Sequence, residues 1–219
     1  MRRFLRENSL GLVLLGLFLA TLAGNALAGW HVDSEERRLH QQAPIAFASY
    51  LTSSHFLESV AENWESEFLQ MAAYVWLTAW LRQKGSAESK PLGPDEREEM
   101  ELRPHPWAPR VVFRGGLLLK LYSSSLSIAL AALFVVSFML HAVSGAAKHN
   151  EEMRLHGGEG LSVLGYVRTA QFWFESMQNW QSEFLAVLAI VLLSIGLRQR
   201  GSPESKPVNA PHAVTGEEV

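Results

Sequence analysis

An internal repeat constrains this chain more than any other feature. Shifting the sequence by 116 residues aligns 9–91 with 125–207 without a gap, and roughly 32 of the 83 pairs are identical, far beyond a chance match. Asn63-Trp64-x-Ser66-Glu67-Phe68-Leu69 recurs as Asn179-Trp180-x-Ser182-Glu183-Phe184-Leu185. Leu81-Arg82-Gln83-x-Gly85-Ser86-x-Glu88-Ser89-Lys90-Pro91 recurs as Leu197-Arg198-Gln199-x-Gly201-Ser202-x-Glu204-Ser205-Lys206-Pro207. Each copy reads as an apolar helix, a polar excursion, a second helix and a polar tail.

The apolar segments set the class. Residues 10–28 form an almost unbroken apolar run, as do 126–143. At about 1.5 Å per residue such a run crosses a hydrocarbon core roughly 30 Å thick. The runs at 68–81 and 184–197 are shorter. Phe56, Val60, Trp64 and Phe68 recur every four residues ahead of the first of these, so that helix extends outward to spanning length. The expectation is an all-α integral membrane protein with four transmembrane helices, near 10–28, 62–82, 122–145 and 178–198. Arg2, Arg3 and Arg6 before the first run, with Ala26-Leu27-Ala28 at its end, also imitate a cleaved secretory signal. The run is longer than a typical signal core and has a mid-chain counterpart, so it is read as a retained helix.

Two spans per copy make both copies enter the membrane in the same direction, as tandem parallel repeats. Repeat 1 is 9–91, with an outward excursion at 30–62, and repeat 2 is 125–207, with an excursion at 146–178. A cytoplasmic linker, 92–124, joins them, carrying Pro94, Pro104, Pro106, Pro109 and an acidic run at 95–101. Residues 208–219 are expected to be a flexible tail. The N-terminus, residues 82–124 and residues 198–219 hold 3, 8 and 3 Lys and Arg residues, against 5 in the two excursions. The positive-inside rule then places both termini in the cytoplasm. A net charge of −3 excludes a strongly basic nucleic-acid binder, and the absence of cysteine excludes disulfides and Cys-ligated zinc.

The paired NWxSEFL and LRQxGSxESKP segments resemble an uncharacterised family of bacterial membrane proteins, classed only as a domain of unknown function. The resemblance covers nearly the whole chain. It implies a bacterial inner-membrane location and supplies no activity, ligand or catalytic residue.

Two constellations are candidates for chemistry. On the second helix of repeat 1, Asn63, Ser66, Glu67 and Gln70 fall at i, i+3, i+4 and i+7, on one face. Repeat 2 keeps Asn179, Ser182 and Glu183. Counted along the helix from Arg82 or Arg198, these carboxylates fall inside the outer edge of the membrane core. Ionisable groups at such depth face a bundle interior or a wet cavity, which suits cation binding or proton relay, whereas tilt and local hydration would leave them at the interface. The excursions place His149, Glu152 and His156 at i, i+3 and i+7, matched by Asp33, Glu36 and His40. Such a face suits a divalent metal, and equally a solvated helix with Glu-His pairs. Gly16, Ala20, Gly24 and Ala28 form a small-residue seam suited to close helix packing, in the chain or in a homodimer.

No phosphate-cradling glycine loop, nucleophile elbow or HExxH motif occurs. The sequence thus reads as a non-enzymatic inner-membrane protein acting through assembly or partner interaction. Its alternatives are a small oligomeric ion or proton conductor using Glu67 and Glu183, and a metal-binding membrane enzyme using the excursion residues. No cofactor is expected beyond that candidate metal.

Overall fold

The computed structural model describes residues 2–93 and 105–216. Pro94, Pro104 and the acidic run of the linker lie outside the described residues. Within them every regular element is a helix: α1 (Arg2–Glu7), α2 (Ser9–Leu39), α3 (Phe47–Tyr50), α4 (Ser54–Trp80), α5 (Arg110–Arg114), α6 (Gly116–Ser123), α7 (Ser125–Leu155), α8 (Val163–Val167) and α9 (Ala170–Gly196). Adding 116 to both bounds of α2 gives those of α7, and the same sum carries α4 onto α9.

Three helices, α2, α7 and α9, are long and apolar enough to cross a membrane. The expected fourth, α4, is not among them, although at 27 residues it is as long as α9. Its first half carries Glu58, Glu62, Glu65 and Glu67, and it turns apolar only from Phe68. Helix also extends further into the polar excursions than expected. α2 and α7 continue to Leu39 and Leu155, while α4 and α9 start eight residues before 62 and 178. No proline interrupts 9–39 or 125–155, so nothing in either run forbids continuation.

The same device ends α2 and α7. After Leu39, Gln41 takes a positive φ of 56°, and its N–H donates to Arg38 O at 3.1 Å while that of Gln42 donates to Arg37 O at 2.8 Å. After Leu155, Gly157 takes φ 69°, and Gly158 N–H donates to Met153 O at 2.8 Å. This is the Schellman arrangement, which satisfies carbonyls that the helix end leaves open.

Contacts sort the chain into two units, Met1–Ala61 with Leu140–Thr169, and Glu62–Met139 with Ala170–Val219. The first unit is pegged by two tyrosines. Tyr50 and Tyr166, 1% and 2% exposed, lie against Gly29 and Gly145, where a built Cβ would come within 2.1 Å and 2.6 Å of the respective phenols. Only a residue without Cβ admits such an approach. Trp30 adds an indole N–H to Ile45 O at 2.8 Å and an edge-on contact with Phe47.

The second unit contains both repeated tails. Gly85 and Gly201 sit beyond the helix ends. α4 stops at Trp80 and α9 at Gly196, and both glycines take φ 84° in the following turn. Each tail is knitted by serines: Gln83 N–H donates to Ser89 Oγ and Gln199 N–H to Ser205 Oγ, both at 2.8 Å. These bonds satisfy main-chain N–H groups just beyond each helix end, where the helical i→i−4 bonding has stopped. Within the segment 208–216, Ala210 and Thr215 are buried.

Candidate functional site

The second unit contains the whole predicted polar stripe and divides it. Ser66 and Gln70 are buried, whereas Asn63 and Glu67 are exposed. Both stripe serines turn back onto their own helix, Ser66 to Asn63 O and Ser182 to Asn179 O, each at 2.8 Å. Glu183 is half-buried.

The most enclosed carboxylate of this unit is one the stripe did not include. Glu65 is 0% exposed, and the indole N–H of Trp180 donates to its Oε1 at 3.0 Å. One turn earlier Glu62 accepts from the amide of Asn179, whose Nδ2 also donates to Glu175 O at 3.2 Å. Trp180 is held by edge-on contacts with Phe134 and Trp173, centroids 6.3 Å and 6.2 Å away. A carboxylate removed from water is costly unless it is hydrogen-bonded, and the indole N–H meets that need. The signal available in the sequence was the departure from the repeat. Glu58, Glu62 and Glu65 stand where the other copy has Phe174, Gln178 and Gln181.

The first unit holds the predicted metal-type residues and spreads them among other partners. Asp33 is buried and accepts from Arg37 Nε at 2.8 Å; Arg37 also reaches Glu151 at 3.3 Å, to which Ser54 donates at 3.4 Å. His149 stacks obliquely on Tyr166, with centroids 5.6 Å apart. Glu36, Glu152, His40 and His156 are exposed. Of the six, His40 and His156 come together, ring edge to ring face with centroids 6.1 Å apart. Buried Glu58 and His141 bring ligand-type atoms within 4.8 Å of each other. The ammonium of Lys148 already occupies both oxygens of Glu58, at 3.0 Å and 3.3 Å, a charge partner that a metal ion would have to displace.

In the tail after α4, Glu88 accepts from the Tyr74 hydroxyl at 2.7 Å. Burial pushes the Glu88 carboxyl above the ordinary carboxylate range; the Tyr74 bond pulls it back, and the Glu204 carboxylate pushes it up again. Glu88 and Glu204 occupy the same position in the two repeated tails.

Buried acids, long apolar helices and serine-knitted tails thus run through the whole chain, and a family model spans the same extent. The domain of unknown function designated DUF6766 matches residues 1–217. This chain belongs to that family. No curated protein and no solved structure matches it. For a DUF6766 chain, then, function has to be argued from the residues themselves.

Proposed function

We propose that this chain is a non-enzymatic, multi-pass protein of the bacterial inner membrane that acts by assembling with a second copy of itself through α2. It is read as two tandem parallel repeats with four spans and both termini in the cytoplasm. The coincidence of helix bounds under the 116-residue shift supports the repeat, and the lysine and arginine distribution supports the orientation.

The carrying observation is the face of α2. Residues 9–21 are all exposed, and a Cβ built at Gly16 or Gly24 would meet nothing within 4 Å. A helix backbone left open along Gly16, Ala20, Gly24 and Ala28 suits close approach by an identical helix, since small residues let backbones pack in lipid without a hydrophobic driving force.

Disulfide cross-linking tests this directly, because the chain has no cysteine of its own. Ala20→Cys in membranes is expected to give a covalent dimer, with Phe18→Cys on the opposite face staying monomeric. Equal cross-linking at both positions, or none at Ala20→Cys, overturns the reading.

The second reading, a small ion or proton conductor, draws on the partial burial of Glu183, a stripe carboxylate on a helix long and apolar enough to cross a membrane. It requires a proteoliposome flux that the Glu67→Gln, Glu183→Gln double variant abolishes. A flux equal to that of empty liposomes removes it.

A further inference from the structure

Lys206 is the most unusual basic residue of the second unit. It is 2% exposed, yet its ammonium donates to three main-chain carbonyls, Gly85 O at 2.5 Å, His212 O at 3.0 Å and Val214 O at 2.9 Å. Those three bonds exhaust its donors. Burial, and then the nearby Arg198 guanidinium, lower its pKa, so the carbonyls hold a charge that solvent no longer supports.

Around this pin the segment 210–216 lies across the first tail. Gly85 N–H donates to Thr215 Oγ1 at 2.8 Å, and Gly216 N–H donates to Ser86 O at 2.9 Å. Arg198 Nη2 donates to Ala210 O at 3.2 Å. Ser86 is fully buried, its Oγ 2.9 Å from that of Ser194 on α9. The approach leaves no room for side chains at either glycine. A Cβ on Gly85 would come within 2.8 Å of His212 O, and one on Gly216 within 2.7 Å of Ser89 O.

We propose that residues 210–216 form a strap, pinned by the buried ammonium of Lys206, that closes over the main chain of Gly85 and Ser86 and opens as a unit. Its grip comes from one ammonium, one guanidinium, one hydroxyl and one main-chain amide rather than from an apolar core, since Ala210 is its buried apolar residue. Polar contacts of this kind are modest in net strength and release together when their central charge is lost. Opening exposes Gly85 N–H and Ser86 C=O, a donor and an acceptor one residue apart.

The test is cysteine accessibility in the otherwise cysteine-free full-length chain. Ala210→Cys, on the buried side of the strap, is compared with Ala213→Cys, which is exposed, by maleimide labelling in detergent. Ala210→Cys is expected to label at least about tenfold more slowly, and adding Lys206→Met is expected to raise its rate at least about tenfold, the effect of losing even one of the three charge-assisted bonds. Thr215→Val, which keeps shape and loses the acceptor for Gly85 N–H, is expected to raise it by a smaller factor. Equal labelling at the two cysteines overturns the docked strap. Unchanged protection with Lys206→Met or Thr215→Val overturns the pin. If Lys206→Met does not fold, the two-cysteine comparison and Thr215→Val still decide.

Discussion

The hydroxyl of Tyr50 occupies the space that a Cβ at Gly29 would need, only 2.1 Å from it, with Cζ at 3.1 Å. The matching pair differs in detail. At Gly145 the ring of Tyr166 itself is close, Cε1 at 2.6 Å and Cζ at 3.0 Å, with the hydroxyl at 2.8 Å. Alanine at either glycine is expected to cost about 1–3 kcal/mol through overpacking. The rescue separates the two. Tyr50→Phe removes the offending atom and is expected to recover much of the Gly29→Ala loss, while Tyr166→Phe leaves most of the Gly145→Ala loss in place. Thermal unfolding of the four single and two double variants measures both cycles.

Gln41 closes α2 in a left-handed conformation, φ 56°, where the equivalent position after α7 is Gly157. A residue with Cβ in that region carries roughly 1–2 kcal/mol of strain that glycine avoids. Gln41→Gly is therefore expected to stabilise the protein by about 1 kcal/mol, and Gly157→Ala to destabilise it by a similar amount. Opposite shifts in the unfolding midpoint are the expected result; shifts of the same sign would contradict the shared capping geometry.

Trp180 donates its indole N–H to fully buried Glu65. Trp180→Phe keeps an aromatic ring and removes the donor, a loss of about 1.5–3 kcal/mol where the acceptor is a charged group. In a Glu65→Gln background the same substitution is expected to cost less, because an amide left with one fewer partner is cheaper than a carboxylate. Additive losses in the double variant would show that the indole does not serve the carboxylate.

Glu88 has its carboxyl pushed above the ordinary 4.5 by burial, against the opposing Tyr74 bond and with added repulsion from Glu204. The folded chain therefore keeps a proton that the unfolded chain releases first. The sign follows: this contribution is fully present below about pH 4.5 and is lost as pH rises through the higher folded value. Glu88→Gln mimics the protonated form. Its unfolding midpoint relative to the parent is expected to rise as the buffer moves from pH 4.5 to 7, and a flat difference across that range would refute the assignment.

What the sequence determined by itself is the repeat and the helical runs. The 116-residue register carries α2 onto α7 and α4 onto α9 at both bounds, because helix formation and helix ends depend on residues within a few turns of one another. The apolar stretches of three long helices were legible for the same reason. The polar tails after the second helix of each copy were legible as segments outside it.

Tertiary structure alone decided which polar groups are enclosed. Glu65 and Glu67 are two residues apart, which on a helix turns them about 200° from each other, and only the packing of Trp180 picks out Glu65 as the buried one. Tyr50 reaches back 21 positions to Gly29, and Lys206 reaches 121 positions to Gly85. Residues so far apart in sequence carry no shared local pattern, and their meeting depends on how loops fold back over helices. Periodicity places a side chain on a face of its helix; what covers that face is a property of the whole chain.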